Sequence, residues 1–162
     1  MIQKVQRPIL YFIVHCAYTK PSMDIGIDWI ERIHVNEKKY KTVGYNFFYK
    51  RDGERQVGRS LEMYGAHARG KGANRKSIGV CYAGGMGEKG GIEDNVTVDQ
   101  MKSILSDFRE AQKVYPGIKL AGHNQFDKKA CPSFDMADYA RKHGIEEAAI
   151  YQGPLLVKLK NV

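Results

Sequence analysis

Three kinds of hydrophobic pattern alternate along the chain. Ile9–Val14 is a continuous apolar run behind Pro8 and predicts a central strand covered on both faces. It runs out in His15 and Cys16, followed by the turn-forming Thr19-Lys20-Pro21-Ser22. From Asp24 to about Lys39 the period becomes helical, with Ile27, Ile30 and His34 on one face and Asp28, Glu31 and Lys38 off it. Gly44–Lys50 reads as a strand, Arg51-Asp52-Gly53-Glu54 as a hairpin turn, and Gln56–Ser60 as the partner strand. Residues 61–76 are a glycine- and arginine-rich loop, Ser77–Ala83 is a second buried strand, and Gly84–Asn95 is a loop.

Thr97 opens the clearest helix, because Thr-Val-Asp-Gln is a capping box. Met101, Ile104, Leu105, Phe108, Gln112 and Tyr115 line its inner face, and Pro116-Gly117 stops it. Ile118–Ala121 is a short strand ending in Gly122-His123, and a last helix follows Pro132-Ser133, with Ser133 as cap and Asp135 at the positive end of its dipole. Strands alternating with helices, plus one hairpin, predict an α/β fold: one domain over 1–162, a central mixed sheet with helices on both faces, and an active site in a groove at the strand ends.

Composition adds constraints. At 162 residues and 43% hydrophobic the chain can build its own core without a disulfide or metal staple. Three cysteines at irregular spacing argue against a disulfide framework and for synthesis in a reducing cytosol. The longest apolar run is too short for a membrane span or a signal-peptide core, so no membrane partner is expected. The formal charge of +8 is uneven, and its densest patch is Arg69, Lys71, Arg75 and Lys76. Such a surface attracts polyanions in general; with no nucleic-acid motif present, direct nucleic-acid binding is not expected.

His15 and His123 both stand where a strand runs out, and Cys131 follows His123 by eight residues. Two neutral imidazoles and a thiolate suit Zn2+, and three protein ligands leave a fourth position for water, the catalytic pattern. A histidine at a strand end is more often a hydrogen-bonded structural residue, and an isolated cysteine a buried filler, so spacing leaves both readings open. Cys–His nucleophilic catalysis through Cys131 is the competing chemistry, without an evident orienting residue. Cys16 points to the opposite face from His15, and Cys16, Cys81 and His34 read as packed residues. His143 reads as an ordinary cation at a helix C-terminus.

The segments FIVHCAYTKPS, VGYNFFYKRDG, GAHARG, SIGVCYAGG and HNQFDKKACPSFD, in that order, resemble the zinc N-acetylmuramoyl-L-alanine amidases. That family includes animal peptidoglycan-recognition proteins, and the likeness is greatest to short single-domain phage endolysins. It covers roughly residues 9–140, with no separate wall-binding domain. The resemblance implies one zinc ion on His15, His123 and Cys131, catalytic roles for Tyr45 and Lys129, and groove positions for His67 and Asn74. Asn46 departs from the pattern, because close relatives often carry histidine directly after the catalytic tyrosine. The implied substrate is peptidoglycan, cut between N-acetylmuramic acid and L-alanine by a monomer that is made in the host cytoplasm and acts on the wall after release. Two other roles come with the resemblance: peptidoglycan binding without catalysis, which Cys131 counts against, and inhibition of a phage RNA polymerase.

Overall fold

The computed structural model describes residues 1–159. Five strands form one sheet in the order β3-β2-β4-β1-β5: β1 (Tyr11–Cys16), β2 (Phe47–Tyr49), β3 (Arg55–Val57), β4 (Ser77–Tyr82) and β5 (Lys119–Gly122). β1 lies between β4 and β5, parallel to both, and β2 is parallel to β4. Among the described strands only the β2–β3 pair is antiparallel, so the sheet is mixed, in agreement with the sequence pattern.

The two faces of the sheet are covered differently. Phe12, Val14 and Cys16 of β1, Phe47 and Tyr49 of β2, and Ile78, Val80 and Tyr82 of β4 pack on one side into a single large core. Helices α2 (Val98–Val114) and α3 (Met136–Lys142) cover that side through Met101, Ile104, Leu105, Phe108, Met136 and Ala140. The opposite face carries two smaller apolar clusters. Phe48 and Cys81 meet Ile25 and Ile30 beside helix α1 (Ile27–Arg32), while Ile13 and Ala121 meet Ala68, Ala73 and Phe126. Because strand side chains alternate, β1 sends Val14 and Cys16 into the large core and His15 to the divided face.

Helix α2 behaves as its sequence predicts. Thr97 Oγ1 accepts from Gln100 N (3.0 Å), and Gln100 Oε1 accepts from Thr97 N (2.9 Å). Gln100 does more than cap: its buried Nε2 donates to Tyr49 O (3.2 Å) and Ala83 O (2.9 Å), tying the helix start to the ends of β2 and β4.

Several boundaries shift for tertiary reasons. α1 begins at Ile27 rather than Asp24, because its first free N–H finds Gln56 Oε1 of the hairpin (2.7 Å). It then widens into a π-helical turn over Ile33–Glu37. The strand expected over Gly44–Lys50 is ladder-paired only at Phe47–Tyr49, and its hairpin partner runs Arg55–Val57, not Gln56–Ser60. Loop 61–76 holds 3-10 turns over Gly70–Arg75, broken by left-handed backbone at Lys71 (φ 55°) and Gly72 (φ 67°). Ser133 does not cap the last helix. It has left-handed backbone (φ 82°) and its hydroxyl donates to Gly85 O, while Asp135 caps through Ala137 N (2.9 Å). Among the described residues no helix is long and apolar enough to cross a membrane.

Gln100→Ala removes one capping acceptor and two donors; Thr97 N loses its cap, while Tyr49 O keeps only Ala83 N and Ala83 O only Arg51 Nη1. The expected loss is about 2–4 kcal/mol, read as a lower urea midpoint at unchanged m-value; a loss below about 0.5 kcal/mol would show that the strand-end contacts contribute nothing.

Candidate metal centre and active-site cleft

The divided face of the sheet hosts the polar cluster. His15 is the penultimate residue of β1, His123 follows β5 directly, and the chain returns after a turn to present Cys131. One ligand atom from each of the three lies within 4.8 Å of the others, and the two imidazole centroids are 4.3 Å apart. The structure therefore brings together residues 108 and 116 positions distant in sequence (123 minus 15, 131 minus 15).

Each histidine has one ring nitrogen occupied from behind. His15 Nε2 is 2.9 Å from His67 Nδ1, and His123 Nε2 is 2.9 Å from Asp127 Oδ2. Among the described residues His15 Nδ1 is buried without a hydrogen-bond partner, as are Asp94 Oδ1 and Asn124 Oδ1. Cys131 Sγ accepts from Cys16 N at 3.3 Å. A buried polar atom without a partner is uncommon in a native fold, and at His15 the nearby ligand atoms of His123 and Cys131 make a shared cation the natural explanation.

The electrostatics match that donor set. Burial, reinforced by His123, His67 and Lys129, pushes His15 well below the usual imidazole range. Burial also lowers His123, although Asp127 opposes the shift. Both rings are thus neutral lone-pair donors at neutral pH. Burial raises the Cys131 thiol, the direction expected for a sulfur without a cation, and a bound cation would draw that proton off. Two imidazole nitrogens and a sulfur form a borderline-soft set that fits zinc.

Beside these residues opens a cleft of about 630 Å³ lined by Tyr40, His67, Arg69, Asn74, His123, Asp127 and Lys129. Lys129 is exposed on its rim and also borders a smaller pocket of about 260 Å³ with Cys131, Cys16, Tyr18 and Ile92; Lys128 lines neither. The Tyr45 ring packs 5.1 Å from that of His15, and burial holds its phenol well above the usual range, so it remains a proton donor. Metal-ligand candidates, Tyr45 and Lys129 thus gather around one face.

His67 and Asn74 are placed less simply. The His67 ring lines the cleft, yet both its nitrogens are engaged, Nδ1 with His15 and Nε2 with Ser77 Oγ (3.2 Å). Burial lowers His67 to about 3, so it is neutral. Asn74 Oδ1 accepts from the backbone N–H groups of His67 (2.8 Å) and Ala68 (2.9 Å), which fixes the loop. Asn46 does not reach the cleft: it is fully buried, its Oδ1 accepts from Gly79 N (2.9 Å) and its Nδ2 donates to Arg59 O (3.0 Å). His34 is buried, with Nδ1 accepting from Gly44 N, and His143 caps α3 in solvent.

Sequence reasoning missed Asp127 and Ser77. Asp127 stands four residues after His123 and also accepts from Arg69 N and Gly70 N (3.1 Å each), so it joins the loop to the candidate ligand. The available signal was the His-x3-Asp spacing. For the region around Ser77 it was Gly79, a glycine inside an apolar strand, which marks a close approach.

Known proteins with this pattern are amidases and their relatives. The N-acetylmuramoyl-L-alanine amidase family matches residues 5–134. The endolysin of Escherichia phage T7 is 42% identical over 130 residues, covering 80% of this chain and 84% of its own. The endolysin of Klebsiella phage KP32 is 40% identical with the same coverage. In solved structures the amidase LysC of Clostridium intestinale superposes with a TM-score of 0.72 at 22% identity, covering 86% of this chain and 88% of its own, a likeness of fold. The match spans the strands, the loop and all three convergent side chains, and the chain belongs to the N-acetylmuramoyl-L-alanine amidase family and is an enzyme of that type.

Proposed function

We propose that this chain is a zinc-dependent endolysin that hydrolyses the amide between N-acetylmuramic acid and L-alanine in bacterial peptidoglycan. The observation that carries the reading is the convergence of one ligand atom each from His15, His123 and Cys131 within 4.8 Å, together with a buried His15 Nδ1 that has no hydrogen-bond partner among the described residues. His15, His123 and Cys131 would hold the zinc, which when bound would supply Lewis-acid chemistry to a water and to the scissile carbonyl.

The remaining work falls to the chain's own groups. The cleft beside His123 receives the glycan–peptide junction. As the carbonyl carbon becomes tetrahedral, negative charge grows on its oxygen, and Tyr45 and Lys129 supply a fixed phenol donor and a cation toward it. Tyr45 is kept protonated by burial, so it serves as the standing donor. Lys129 is exposed, so it can give a proton to the departing L-alanine amine and recover one from solvent. His67 lines the cleft, but both its ring nitrogens are engaged and neither is free to bind substrate.

The likeness to phage endolysins supports synthesis in the host cytoplasm and action on the wall after release. Three free cysteines, two of them buried, are consistent with that reducing origin.

Dialysis against a chelator should abolish wall lysis and stoichiometric zinc should restore it; full activity in metal-free protein would contradict the proposal. Cys131→Ser should lose most bound zinc, measured by elemental analysis of the purified protein. Lys129→Ala should keep one zinc per chain and lose roughly 100-fold or more in kcat; wild-type turnover would remove Lys129 from the mechanism.

A further inference from the structure

A short hydrogen-bonded row ends on His15. Ser77 Oγ is 2.7 Å from Ala73 O and 3.2 Å from His67 Nε2, and His67 Nδ1 is 2.9 Å from His15 Nε2. All three side chains are buried. The direction of every bond follows from the first. A carbonyl oxygen can only accept, so the single hydroxyl hydrogen of Ser77 goes to Ala73 O. Toward His67 the hydroxyl oxygen can then only accept, and His67 Nε2 carries the hydrogen. A neutral ring protonated at Nε2 has a bare Nδ1, which accepts from His15 Nε2. His15 therefore carries its hydrogen on Nε2, and its Nδ1 lone pair is left free at the position where the partnerless atom is found.

The sheet is shaped to admit this ring. A methyl group built on Gly79 of β4 would meet His67 ring atoms at 2.2–2.5 Å, and one on Gly65 would meet them at 2.4–2.7 Å. Gly79 is itself fixed, since its N–H donates to Asn46 Oδ1 and its carbonyl accepts from Asn46 N (2.7 Å). Asn74 Oδ1 holds the His67 backbone from the other side. Glycines on two segments and an asparagine bracket thus keep one imidazole flat against the strand, where it reaches His15.

We propose that His67, anchored by Ser77, is a positioning residue that locks His15 in the Nε2–H tautomer and so reserves its Nδ1 for the metal. The inference deepens the zinc reading above and rests on it for its purpose. The tautomer itself is a property of the metal-free chain. Partners of this kind orient a metal-bound histidine and raise its basicity, and their loss costs about 10–100-fold in metal affinity.

The test uses the full-length protein. Long-range 1H–15N spectra of the metal-free protein should show His15 and His67 both protonated at Nε2; an Nδ1–H form of either ring as the main species would overturn the proposal. Zinc affinity is then measured by competition with a fluorescent chelator. His67→Ala should weaken binding about 10–100-fold. His67→Asn, whose amide oxygen can stand in for the Nδ1 acceptor, should recover most of that loss. Ser77→Ala keeps the ring but frees its tautomer, and should weaken zinc binding and mix the His15 tautomers. Wild-type affinity in His67→Ala, or an asparagine variant no better than alanine, would reduce His67 to packing. If His67→Ala fails to fold, Ser77→Ala and the wild-type spectra decide. Failure of the wild-type protein to bind zinc would instead sink the functional reading, and the spectra would still settle the relay.

Discussion

A buried imidazole nitrogen with a lone pair and no partner is costly, and the site is organised around one such atom, His15 Nδ1. Three constraints put it there. Parallel pairing of β1 with β4 and β5 buries the strand on both faces; alternation sends His15 to the side opposite the main core; and His67 occupies the other ring nitrogen. What remains is an unpaired nitrogen on a ring that lies close to His123 and Cys131. A protein that needed His15 only for packing would be better served by an apolar residue of similar volume.

The two faces of the sheet divide the labour. On one, α2 and α3 close a continuous apolar core, and Gln100 fastens helix to strand ends. On the other, the apolar clusters around Phe48 and around Ile13 are separate, and between them the sheet supports polar side chains instead of a helix. The core on the first face supplies the rigidity that lets groups on the second hold positions set by hydrogen bonds. Asp127 plays for His123 the part that His67 plays for His15, and because it also accepts from Arg69 N and Gly70 N it links the basic loop to the candidate centre.

Much of this was legible in the sequence where the cause is local. The β1 and β4 runs, the Thr97–Gln100 box and the Pro116-Gly117 stop lie within a few residues of the structure they specify. Boundaries set by distant partners were not legible: Gln56, a hairpin residue, decides where α1 starts, and Asp135 rather than Ser133 caps α3 because the backbone at Ser133 is left-handed. The convergence of His15, His123 and Cys131 was within reach of strand-end reasoning, since topology alone brings those ends together. The engagement of His67 was not. It depends on Ser77 and on Gly79 in another strand, and the GAHARG segment by itself points only to a loop near the groove. Asp127 was hidden for the same reason, being one acid in a run of polar residues until the fold sets its carboxylate against a ring nitrogen.

In the proposed centre His15, His123 and Cys131 close on a single zinc ion and leave a coordination position open. X-ray absorption at the zinc edge of the loaded protein addresses it directly. One sulfur near ~2.3 Å, two imidazole nitrogens near ~2.0 Å and one further light atom from solvent are expected. A coordination sphere without sulfur, or one filled by four protein side chains, would contradict it.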